Sequence, residues 1–205
     1  MTEKTARNGK VGRSESRRQQ VLDAAALCFR RSGFRGASMS EISAEAGMST
    51  GHIYHYFKSK EALVEAIVTR DIDQGLASID AIQAHRNVVE GLIEESGRCL
   101  TDRSNVSDPA LSLEIMAEAA RNPSVAQICT TCEGMVRDRL FEMFALGRQQ
   151  GGIAPDAPIE ELDALLRALY DGITVQKAVN PDYNAEPLRR VLPKIIAFLL
   201  HPVTA

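Results

Sequence analysis

Two pairs of side chains in this 205-residue chain combine a reactive type with a spacing of three residues: His52 with His55, and Cys129 with Cys132. Three apart on a helix, imidazoles or thiols can share a metal ion, and a Cys-x-x-Cys pair can also cycle between dithiol and disulfide. A structural zinc asks for four ligands, however, and no second paired cluster lies near Cys129 and Cys132, with His201 remote. The other cysteines, Cys28 and Cys99, stand singly, so the four thiols read as small apolar filling, with a thiol-based redox sensor as the second reading. No nucleophile elbow, phosphate loop or convergent acid-base set is present, which leaves a helical enzyme a distant third. The sequence predicts no catalytic residue, no metal site and no cofactor. The histidines then need another partner, and their surroundings supply one.

Ser38 precedes Glu41 by three residues, the capping-box spacing in which each side chain satisfies the other's backbone amide at a helix start. A helix is expected from Met39, with Ile42 and Ala46 on its inner face, small Ser43 leaving room for a crossing helix, and Gly47 ending it in the left-handed conformation. Met48 plugs the turn. Ser49 caps a second helix whose inner face is Ile53 with Tyr56 or Phe57, turning Thr50, Gly51, His52, Tyr54 and His55 outward. This is a helix-turn-helix. Gly51 and Thr50 let the backbone come close to phosphates, His52 reaches base edges in a major groove, and Tyr54, His55 and Lys60 are placed to hold the sugar-phosphate backbone. The candidate site for double-stranded DNA is therefore Ser38, Ser49, Thr50, Gly51, His52, Tyr54, His55 and Lys60, joined by Arg17.

The elements around this motif agree. Residues 1–15 carry no periodic apolar pattern and read as a flexible basic arm, with Lys10, Arg13 and Arg17 able to follow a DNA backbone. Helix 1 runs from near Ser16 to Ser32, its stripe of Val21, Leu22, Ala25, Ala26 and Phe29 facing Ile42 and Ile53, and Gly33 stops it. Net charge is −3 but unevenly placed: residues 1–60 hold 11 Lys and Arg against 5 Asp and Glu (+6), residues 61–205 hold 13 against 22 (−9). Such asymmetry aims one end at a polyanion and keeps the other off it.

The stretch GFRGASMSEISAEAGMSTGHIYHYFKSKEALVEAI, within Arg17 to Ile67, resembles the DNA-binding domain of the TetR family of bacterial transcriptional regulators. The aromatic-rich helix end IYHYFKSKEAL is specific to that likeness; beyond Ile67 the chain matches the family only in length and helical layout. The resemblance implies a ligand-responsive regulator, most simply a repressor released from a palindromic operator by a small apolar or amphipathic effector.

Composition supports an all-α fold: apolar content is 44%, Trp is absent, and helix formers abound. We expect about nine helices, a three-helix head over residues 16–60 followed by an effector-binding and dimerisation domain over 61–205. Ser59 caps the fourth helix, which carries Lys60 at one end and Ile79 at the other. Later helices run over Val88 to Leu100, from Pro109 to Asn122, and from Pro123 to Gln150. An eighth starts near Ile159, and a ninth holds Leu188 to Leu199, where Pro193 demands a kink or a later start. With no apolar run long enough for a bilayer and a polar, Arg-rich start, a cytoplasmic protein without a membrane partner is expected. The family likeness implies a four-helix homodimer interface, to which Leu162, Leu166, Leu169, Ile173, Val191, Ile195 and Leu199 are assigned. It also implies a pocket, to which Cys99, Leu113, Met116, Met135, Met143 and Tyr170 are assigned as soft apolar lining with one phenol.

Overall fold

A computed structural model of the chain describes residues 2–101, 108–150, 152–180 and 182–200, with side chains from Ser14 onward except those of Cys99 and Thr101. The described residues form helices and connecting turns, without a β-strand. The helices are α1 (Thr2–Gly36), α2 (Met39–Glu45), α3 (Thr50–Tyr56), α4 (Lys60–Gln83), α5 (Val88–Thr101), α6 (Pro109–Ala119), α7 (Pro123–Gln149), α8 (Ile159–Val179) and α9 (Glu186–Leu200).

One boundary is corrected, and one alternative left open is decided. Helix α1 begins at Thr2 rather than near Ser16, so residues 2–15 continue the helix. This stretch lacks proline, and extending an existing helix adds one hydrogen bond per residue fixed, without a new nucleus. Helix α9 runs through Pro193 from Glu186, so the later start is not taken. The proline withholds one amide from the helix, and the amphipathic face holding Leu192, Ile196 and Leu200, all buried, offsets that loss.

By contact the chain forms two compact units, Met1–Val68 with Glu114–Cys129, and Thr69–Leu113 with Thr130–Ala205. The first unit is larger than the head expected from residues 16–60, since it takes in the start of α4 and the corner between α6 and α7. Its core is Val21, Leu22, Ala25, Cys28, Phe29, Phe34, Ile42, Ile53, Phe57, Leu63 and Ile67. Gly33 breaks α1 at φ 70°, a left-handed conformation that only glycine adopts at low cost. The break leaves the Phe34 amide without a helical acceptor, and the Glu114 carboxylate of α6 takes it at 2.7 Å. Glu118, 3% exposed, accepts from Arg121 at 2.7 Å and from Asn122 at 3.2 Å, and lies 3.8 Å from Arg35. Burying a carboxylate is costly unless it is hydrogen-bonded and paired, and these partners supply both.

The second unit packs Ile79, Ile82, Val89, Leu100, Phe144, Leu162, Leu192 and Ile196 together, drawn from α4, α5, α7, α8 and α9. Arg139 of α7 ties to Asp80 at 2.9 Å and Gln83 at 3.0 Å on α4.

Candidate functional site

In the first unit, α2 and α3 are held by local chemistry that the sequence announces. The capping box closes in both directions: the Ser38 amide donates to Glu41 Oε2 at 2.8 Å, and the Glu41 amide donates to Ser38 Oγ at 3.1 Å. The Ser38 amide first, and the Ser38 hydroxyl second, hold the Glu41 carboxyl below its ordinary range. At the other end Gly47 takes φ 62°, its amide reaching Ala44 O and that of Met48 reaching Ser43 O at 2.9 Å, the paired bonds of a Schellman motif. Gln20 of α1 adds a bond to Ala46 O at 2.8 Å. Ser49 Oγ accepts the His52 amide at 3.3 Å and starts α3.

Between the two helices, Ser43 Oγ donates its one proton to Ser40 O at 2.7 Å, so at the 2.9 Å contact with Thr50 Oγ1 it is Thr50 that donates. Thr50 is thereby turned into the motif rather than away from it. Ile53 is fully buried and Phe57 nearly so, which settles the inner face of α3 on Phe57 rather than Tyr56. Gly51, His52, Tyr54 and His55 are exposed. A Cβ at Gly51 would meet nothing within 4 Å, so the fold itself gives no reason for glycine there. Tyr56, half-buried, braces both histidines with its ring 5.4 Å from that of His52 and 5.4 Å from that of His55.

Lys60 differs from expectation. Its ammonium donates to the carbonyls of Phe34 and, at 2.9 Å, Ala37, and sits 4.5 Å from the centre of the Phe34 ring. The carbonyls freed where α1 breaks and α2 has not begun give that cation a better-defined partner than solvent. Lys58 is the exposed cation beside α3, its Nζ on Tyr54 O at 2.7 Å, and sequence reasoning passed over it. Arg17 is exposed on α1 and donates to Gln20 at 2.9 Å, while Arg18 lies over Phe57 at 5.1 Å.

The second unit holds a partly open cavity of about 230 Å³ between α5, α8 and α9, walled by leucines and isoleucines with Tyr170, Thr174, Ser96, Glu95 and Lys177 as polar members. An apolar cavity of about 150 Å³ is already large enough to take up benzene. Glu95 is committed to Arg98, which with Ser78 holds its carboxyl below the ordinary range against the cost of burial. Lys177 donates to Leu100 O at 3.2 Å.

Known proteins share both halves. Residues 21–67 match the family model described as bacterial regulatory proteins, tetR family, and residues 99–201 match that of the BetI-type transcriptional repressor, C-terminal. The HTH-type transcriptional regulator UidR of Escherichia coli (strain K12) is 32% identical over 177 residues, covering 84% of each chain. The chain belongs to the TetR family. The HTH-type transcriptional repressor AcnR of Corynebacterium diphtheriae is 29% identical over 177 residues, 86% of this chain and 87% of that one. Among solved structures, Salmonella enterica GusR superposes with a TM-score of 0.77 at 31% identity, over 91% of this chain and 96% of that one. The protein is thus a TetR-family regulator of transcription, and its all-α fold and helix-turn-helix stand as the sequence implied.

Of the residues assigned to a pocket in this TetR-family chain, Tyr170 lines the cavity. Met143 is buried in the second unit's core without reaching it, Leu113 is half-buried, and Met116 and Met135 are exposed, Met135 to 53%. The side chain of Cys99 lies outside the described residues. Of the interface assignments, Leu162, Leu166, Leu169, Ile173 and Leu199 line the cavity, while Val191 and Ile195 are exposed. Burial pushes the Cys28 thiol up, against the low values that make a thiol reactive. Cys132 is buried and Cys129 half-buried on α7.

Proposed function

We propose that this regulator is a homodimeric repressor that places α3 in successive major grooves of a near-palindromic operator and is released when a small apolar or amphipathic molecule fills the cavity of its second unit. The observation that carries the reading is the outer face of α3. Gly51, His52, Tyr54 and His55 are exposed, and nothing lies within 4 Å of where a side chain at Gly51 would begin, yet they stand on a helix fixed by caps at its start and by Ile53 beneath it. Small residues at the helix start and hydrogen-bonding rings beyond it suit entry into a groove, and the net charge of +6 over residues 1–60 supplies the phosphate attraction. Ser38 and Ser49, whose oxygens cap α2 and α3, serve by setting those helices against the backbone; Arg17 and Lys58 serve as phosphate contacts.

Dimerisation is supported by two exposed apolar stripes, Leu165, Gly172 and Val179 on α8 and Val191, Ile195 and Phe198 on α9, with Phe198 73% exposed. Their spacings keep each set on one helix face, which suits a helical partner surface. Selection from random DNA, followed by footprinting and sedimentation, tests the whole. Two half-sites about 34 to 36 Å apart, or a multiple of that, bound by a dimer are expected. A single asymmetric site bound by a monomer would overturn the reading.

A further inference from the structure

The cavity of the second unit has a neighbour. A groove between α5 and α9, lined by Glu94, Arg98, Arg189 and Arg190, shares Ser96, Leu100 and Leu192 with the cavity as a common wall. The two recesses therefore adjoin at these residues. Residues 61–205 carry a net charge of −9, yet the ionisable residues lining the cavity and groove reverse that sign: Lys177, Arg98, Arg189 and Arg190 against Glu94 and Glu95.

We propose, building on the effector reading above, that the ligand is an amphipathic anion, its aliphatic or aryl body in the cavity and its carboxylate or phosphate head on Arg189 and Arg190 in the groove. The cavity carboxylate Glu95 is engaged by Arg98, with Nε to Oε2 at 2.8 Å, so it is not available to recognise a cationic head without first breaking that pair. Arg189 is tied to Glu186 at 3.1 Å, but both side chains are at least half exposed, and an ion pair so exposed is weak. Exchanging the Glu186 carboxylate for that of a ligand therefore costs little, and a guanidinium meets carboxylate and phosphate oxygens with paired N–H donors. Arg190 is exposed one residue further along the same groove.

Titration calorimetry on the full-length protein at fixed ionic strength, with octanoate, octyl phosphate, 1-octanol and octyltrimethylammonium as probes, tests this. Octanoate or octyl phosphate is expected to bind about tenfold tighter than 1-octanol, as one charge-assisted hydrogen bond implies, and which of the two binds tighter names the head. The double variant Arg189→Gln/Arg190→Gln is expected to erase that preference while leaving 1-octanol binding unchanged, which also shows that the variant is folded. Tightest binding of octyltrimethylammonium, or a preference that survives the double variant, would overturn the anion assignment while leaving the cavity reading intact. Should none of the four bind, the cavity reading falls and the anion assignment with it.

Discussion

The backbone amide of Phe34 donates to the carboxylate of Glu114, 80 residues further along the chain, at 2.7 Å. The same carboxylate lies 3.0 Å from where a side chain at Gly33 would begin. Glycine there does two things: it permits φ 70°, and it lets an acidic side chain of α6 reach the amide that the break exposes. Glu114→Ala leaves a part-buried donor unmet and is expected to cost about 1 to 3 kcal/mol in denaturant unfolding, with Glu114→Gln costing less because an amide oxygen still accepts. No loss in either variant would show that the amide finds water instead.

The two lysines flanking Ser59 are expected to separate in their effects. Lys58→Ala should weaken binding to all operators alike and reduce the slope of log affinity against log salt by about 1, because it removes one phosphate contact. Lys60→Ala should leave that slope unchanged and lower the stability of the protein, since its ammonium serves the Phe34 and Ala37 carbonyls. A reduced slope for Lys60→Ala, measured by fluorescence anisotropy across a salt series, would return Lys60 to the DNA surface.

His52→Ala is expected to change which sequences are selected, with about 1 to 3 kcal/mol lost at the affected base pair and little elsewhere. Tyr56→Leu should blur the same preference, because the ring that braces both imidazoles is gone. Unaltered selection profiles for both variants would show that α3 reads DNA through other residues.

Two carboxyl groups should move stability with pH in opposite directions. Glu41 is held below its ordinary range by Ser38, so its contribution is present above the unfolded value of about 4.3 and is lost as pH falls through the folded one. Asp171 is pushed up by burial, with Arg167 opposing, so its ionised form opposes folding and that cost grows as pH rises from about 3.9. Asp171→Asn should therefore raise the melting temperature at pH 7 by an amount that fades near pH 3, whereas the deficit of Glu41→Gln should be largest at pH 7. Parallel melting curves for Asp171→Asn and the parent at both pH values would contradict the assignment.

Phe198→Glu is expected to shift the protein toward monomer in sedimentation and to lower operator affinity far more than any single head variant, since one head then binds without its partner. A dimer that persists would move the interface off the α8 and α9 stripes.

What was legible in the sequence is what depends on near neighbours. The Ser38–Glu41 box, the Gly47 turn and the Ser49 cap are written within three or four residues of each other and arose where their spacing placed them. The starts of α6 and α7 followed from Pro109 and Pro123 in the same way, whereas α9 runs through Pro193 and residues 2–15 stay helical through Gly9 and Gly12. The inward turn of Lys60 was not legible, because its acceptors are carbonyls 23 and 26 residues away and any residue type supplies a carbonyl. On α8, apolar residues occur all round the helix, so periodicity could not tell Leu166, facing the cavity, from Leu165, facing outward. Methionine likewise fits core and surface alike, and exposed Met135 and buried Met143 carry no mark that distinguishes them.

The unit that holds the helix-turn-helix is drawn from Met1–Val68 and from Glu114–Cys129, and this bears on how such genes can recombine. A crossover near codon 68 that grafts a foreign reader onto this sensor would separate the Phe34 amide from the carboxylate that has been meeting it. The newcomer must present a glycine break in the same place, or arrive with its own counterpart of α6. Operator choice and ligand choice are therefore not freely interchangeable in descent or in engineering; they are linked by a short cassette, Glu114 to Arg121, that has to travel with the reader although it lies inside the sensor's reading frame.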